Sequence, residues 1–225
     1  MSFLKSTRYS KIYREFQAID ALAFQQIVRF YEEKERKIEQ LPFEEYFELL
    51  VTYVNALFEI GAYNKHLTVV DLVIEASVIN NIQYYKGEDV FYKMLFRKAA
   101  SLFHIHKYEE TNYILRELLK MNPQDKSAAL FLKKCLRKRN TKLIQSGRAI
   151  AIFLLLLTAF VIAFEVLFVR PFYELYTPLI ERLRTLIFIS GPLVLALCFA
   201  IHRWLADRKV QQFIQQIIRS KQTTR

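Results

Sequence analysis

Two apolar runs toward the C-terminal end constrain this chain more than any other feature. The first opens at Ala149 with Ala-Ile-Ala-Ile-Phe-Leu-Leu-Leu-Leu-Thr-Ala-Phe-Val-Ile-Ala-Phe and continues through Glu165 to Val169. The second starts near Arg184 and is extended to Leu205 by Trp204. A helix needs about 20 mainly apolar residues to cross a bilayer core of about 30 Å, and both runs reach that length. A soluble helix as long would carry a polar stripe on its outer face, and Ala149 to Phe164 has none. The expectation is a membrane hairpin over residues 140–205, with spans at about 149–169 and 184–205. A semi-polar link, Arg170 to Thr185, joins them; its Tyr173 and Tyr176 suit a short helix lying at the interface.

The distribution of charge gives the hairpin a direction. The chain has a formal net charge of +11. Residues 1–125 nevertheless hold 16 Lys and Arg against 18 Asp and Glu. The surplus lies beside the apolar runs: residues 126–148 carry eight basic side chains and no acidic one, and residues 203–225 carry six and one. Basic flanks stay on the cytoplasmic side, which places both chain ends there in an integral, two-span protein. Anionic lipid attracts such residues by about 1 kcal/mol each near the surface. The expected lipid contacts are Lys133, Lys134, Arg137, Lys138, Arg139, Lys142, Arg148, Arg203, Arg208 and Lys209. Basic clusters also bind nucleic-acid phosphates, but these abut spanning segments, so lipid is the reading and no nucleic acid is expected.

Four glycines and five prolines in 225 residues exclude a turn-rich β fold and favour long helices. Helical periodicity predicts helices over about Phe16–Gln40, Pro42–Ile60, Asn64–Ile79, Val90–His104, Tyr108–Met121 and Gln124–Arg139. Gly61 suits a left-handed cap and Asp89 an N-cap. The expected organisation is an N-terminal helical segment (1–41), a helical-repeat domain (42–139), the hairpin (140–205) and a basic amphipathic tail (206–225).

Within the second of these, Ala56-Leu-Phe-Glu-Ile-Gly-Ala-Tyr63 lies over Ser101-Leu-Phe-His-Ile-His-Lys-Tyr108, and each leads into a second apolar-periodic helix. From Leu95 to Pro123 the chain resembles the tetratricopeptide repeat family. The family's small first-helix residue falls on Ala99, its aromatic on Tyr108 and its closing proline on Pro123; Lys107-Tyr-Glu-Glu-Thr-Asn follows the family's turn, with Thr111 where alanine is usual. In the earlier copy His66 replaces that alanine and Val78 the proline, and the copies are 45 residues apart rather than the usual 34. Over about Phe47 to Arg139 the resemblance implies an all-α stack of helix hairpins with a concave face for a partner protein or peptide.

The remaining signals are smaller. Glu165 is an intramembrane polar candidate, structural by default through the interface or Arg170, and otherwise part of an ion path in a small channel or transporter subunit. Gly191-Pro192 is expected to kink the second span. Arg97 and His104, seven residues apart, share the spacing of helical ribonucleases of the HEPN type, a pairing that chance readily supplies in a chain so rich in Arg. Cys135 and Cys198 make no disulfide or zinc site, the four histidines have no metal-ligand spacing, and no phosphate loop or nucleophile elbow is present. The reading is therefore a non-enzyme without cofactor or metal: a membrane-anchored scaffold, a subunit of a larger complex. In the tail, Val210, Phe213, Ile214, Ile217 and Ile218 form an apolar face that suits lipid, a protein groove or a second copy of the chain.

Overall fold

The computed structural model describes residues 9–139, 142–169 and 177–223, and the fold there is all-α apart from one two-residue strand pair. Helices α1 (Lys11–Gln17), α2 (Phe24–Ile38), α3 (Phe43–Glu59), α4 (Tyr63–Ile79), α5 (Val90–His104), α6 (Tyr108–Met121) and α7 (Lys126–Arg139) precede two long ones. These are α8 (Lys142–Phe164), which widens into a π-helical turn at Glu165–Val169, and α9 (Thr177–Thr223). The chain forms two compact units, Met1–Ala128 and Ala129–Arg225, which divide inside α7.

In the first unit, consecutive helices pack as neighbours, α2 on α3, α3 on α4, α4 on α5 and α5 on α6. Its core gathers Ile27, Tyr31, Phe47, Leu50, Val54, Leu57, Val70, Val73 and Met94. Tyr31 and Tyr53 stack with centroids 4.1 Å apart. The turns after α3 and α5 are the same structure built twice. After α3, Gly61 N–H donates to Phe58 O, Ala62 N–H to Leu57 O and Tyr63 N–H to Gly61 O; after α5, His106, Lys107 and Tyr108 donate to Phe103, Leu102 and His106. Each is a left-handed cap closing the last turn of its helix, with φ of 76° at Gly61 and 65° at His106. The 45-residue correspondence read from sequence is therefore also a correspondence of backbone.

Three sequence expectations change. The helix expected over Phe16–Gln40 is broken between Gln17 and Phe24. Asp20 Oδ1 accepts from Leu22 N–H and Asp20 O from Ala23 N–H, a local side-chain bond that competes with helix. Leu22, inside the expected helix, is 76% exposed. Second, the loop before α5 contains a tight antiparallel hairpin, pairing Tyr84 with Asp89 and Tyr85 with Glu88. Positive φ at Lys86 and Gly87 gives the turn that suits strand twist. Third, the end of the link, the second span and the tail are one helix: α9 continues through Pro192 and through the charged stretch Arg203–Lys209 without a break.

In the second unit α8 packs along α9. Gly147, Ala151, Thr158 and Glu165 are buried on one stripe of α8, with Leu154 and Val161 half-buried between them. The matching stripe of α9 includes Arg184, Ile187, Gly191, Val194, Cys198, His202 and Ala206. Small residues let the two backbones approach. A Cβ on Gly147 would lie 2.8 Å from Cys198 Sγ and 3.0 Å from its Cβ. The outer surface is apolar: Phe153, Leu156, Phe160, Leu186, Phe188 and Phe199 are each more than half exposed. Both helices are long and apolar enough to cross a membrane, and only 17% and 11% of their most apolar stretches is buried. A core helix of a soluble protein is mostly buried instead.

Candidate functional site

The first unit carries a groove of about 230 Å³ between α2, α3, α5 and the strand pair, lined by Phe24, Ile27, Val51, Asn55, Tyr85, Lys93 and Met94 among others. The lining comes from the second half of α3, through Val51, Thr52, Asn55 and Ala56, and from the first turns of α5, through Val90, Lys93 and Met94. Among the described residues Asn55 Oδ1, buried at this groove, has no hydrogen-bond partner. An unmet acceptor of this kind is costly, and a donor such as a peptide N–H would satisfy it.

Arg97 and His104 each contact a side chain of another helix. The Arg97 guanidinium lies 4.9 Å from the Phe58 ring centroid and 3.1 Å from Glu59 Oε1. His104 stacks on Tyr63 at 4.3 Å with the rings nearly parallel. Beneath them His66 is fully buried, its Nδ1 2.9 Å from Ser101 Oγ. Burial, helped by the nearby Arg97 charge, pushes the His66 pKa down to about 4. Among the described residues no group of three His, Cys, Asp or Glu side chains is placed to hold a metal.

In the second unit Glu165 is completely buried and accepts a hydrogen bond from Arg184 Nη1 at 2.9 Å. The Arg170 considered as its partner lies outside the described residues, as does the aromatic part of the link, residues 170–176. Arg184 could have been found from the sequence only by knowing the hairpin register, since it lies 19 positions from Glu165.

The basic residues expected at lipid divide into two kinds. Lys134, Arg137, Lys138, Arg148 and Arg203 converge on a cavity of about 480 Å³ between α7, α8 and α9. Asp207, the lone acid of the C-terminal basic stretch, holds Arg137 at 2.9 Å and Lys133 at 3.7 Å. The Arg208 guanidinium covers Trp204 at 3.9 Å, while Arg139 and Lys209 edge a second cavity of about 360 Å³. The Lys142 side chain lies outside the described residues. In the tail Val210 and Ile217 are buried within the chain, Phe213 and Ile214 half-buried, and Ile218 is 40% exposed. The face that suited an external surface is therefore largely covered. No protein family, curated protein or solved structure matches the chain.

Proposed function

We propose that this chain is a membrane-anchored helical-repeat protein that binds a partner protein and holds it at the cytoplasmic face of a membrane, as a subunit of a larger complex. The observation that carries the reading is the presence in one chain of an exposed apolar helix pair and a separate helical unit whose groove contains an unsatisfied amide acceptor, Asn55 Oδ1. The tetratricopeptide resemblance supports the binding half. Its implied hairpins coincide with α3–α4 and α5–α6, and the two turns repeat bond for bond. On that resemblance α3 and α5 would be the first helices of the two hairpins. The basic flanks support a cytoplasmic position for both termini through the positive-inside rule. A channel or transporter subunit is the alternative that Glu165 invites; the buried bond from Arg184 instead fits a carboxylate that fastens two helices together.

The test uses the full chain in its native membrane, with a photo-crosslinking residue at Thr52 or Lys93 in the groove and, for comparison, at Glu109 on an exposed face. The reading expects one protein captured from both groove positions and not from Glu109. No capture, or the same capture at all three, sinks it.

A further inference from the structure

We infer that the cavity between α7, α8 and α9 is a binding site for the phosphate headgroup of an anionic phospholipid. The inference rests on the membrane reading above and goes beyond charge attraction to a defined site. Five cations, Lys134, Arg137, Lys138, Arg148 and Arg203, line the cavity, and no carboxylate does. They come from three helices, so a single ligand would touch α7 and both ends of the apolar pair at once. Among the described residues, Lys138, Arg148 and Arg203 form no ion pair. Arg137 is held by Asp207 through one Nη, yet its buried Nε has no acceptor among the described residues. Asp207 thus fixes the guanidinium while leaving a donor unmet, and a phosphate oxygen is the acceptor an arginine fork is shaped for.

The position of the cavity selects a lipid over a free anion. Arg148 is the last residue before the first apolar run and Arg203 lies two residues from the end of the second. The basic lining therefore sits where apolar surface ends. Phe199, 60% exposed, forms part of the same wall and continues into that surface. Across His202, which borders both cavities, the second cavity has apolar walls of Leu136, Leu143, Leu205 and Ala206, with Arg139 and Lys209 at its edge. Charge for a headgroup beside apolar walls for the adjoining chain suits an amphipathic anion. Basic pockets between membrane helices are a known way of holding such headgroups.

The experiment is native mass spectrometry of the full chain in mixed micelles containing equal phosphatidylglycerol and phosphatidylcholine. The expected result is preferential retention of phosphatidylglycerol, reduced at least about tenfold by combined Arg137→Gln, Arg148→Gln and Arg203→Gln. A charge-matched variant, Lys126→Gln with Arg219→Gln and Lys221→Gln, should keep the preference. Equal retention of the two lipids, or equal loss in both variants, overturns the site. Displacement by inorganic phosphate as readily as by phosphatidylglycerol overturns the lipid assignment. Should the triple variant lose helicity, Arg203→Gln against Arg203→Lys decides, with loss expected only in the former. A chain released from membranes without detergent refutes the membrane reading itself. A chain that stays membrane-bound but shows no lipid preference refutes only the headgroup site.

Discussion

His66 Nδ1 stands 2.9 Å from Ser101 Oγ, a bond between two fully buried side chains that ties α4 to α5. The imidazole is kept neutral there by burial, with a pKa of about 4 against an ordinary 6.5. The unfolded chain therefore takes up this proton first as pH falls. Stability contributed by neutral His66 is intact above about pH 6.5 and is lost as pH drops toward 4, by at most about 3 kcal/mol. Denaturant unfolding of the full chain in detergent at stepped pH should show this slope, and His66→Gln should flatten it.

The duplicated turn makes a paired prediction. Gly61 and His106 occupy the same left-handed position, but only glycine adopts it without a steric penalty of about 1–2 kcal/mol. Gly61→Ala should therefore destabilise by about 1 kcal/mol. His106→Gly should stabilise, by somewhat less because it gives up the 2.9 Å contact of His106 Nδ1 with the Tyr108 hydroxyl. Opposite shifts in thermal midpoint would meet the prediction; shifts of the same sign would contradict it.

Close approach of α8 and α9 at Gly147 predicts that Gly147→Ala separates the pair. Both Cys198 Sγ and Cβ stand where the new methyl would go, so rotating the thiol away is not enough. A loss of about 1–3 kcal/mol is expected, recovered in part by adding Cys198→Gly. Thermal unfolding in detergent reads both.

For the buried ion pair, Arg184→Gln should cost at least about 1 kcal/mol by withdrawing a donor from a fully buried carboxylate. Glu165→Gln should be milder, because its amide oxygen still accepts from Arg184. Under the anchoring reading Glu165→Gln leaves ion flux into liposomes at the background of empty vesicles, as does the unaltered chain. A flux in the unaltered chain that the substitution abolishes would favour the channel reading.

The helix ends after Gln17 because Asp20 bonds locally, and nothing in the apolar spacing of Ile19, Leu22 and Ile27 reveals that. By contrast, Gly61, Asp89 and Asn122-Pro123 mark their boundaries by backbone chemistry that needs no partner, and α3 to α6 were legible almost to the residue. The continuity of α9 was not. Charges such as Arg203, Asp207 and Arg208 resemble an exit from lipid, yet they are compatible with helix, and Asp207 finds Arg137 70 positions away. The site shows the same division. Composition alone located the basic residues, but their convergence on one cavity depends on three helices meeting. The donor and acceptor left unmet, Arg137 Nε and Asn55 Oδ1, are properties of packing.

The 47 residues of α9 form a rod about 70 Å long, more than twice the depth of a bilayer core. In the proposed membrane setting such a rod crosses the boundary as unbroken helix. A tilt imposed at its Thr177 end then reappears, reversed, at the end that carries Ile217, with the close contact at Gly147 and Cys198 as its fulcrum.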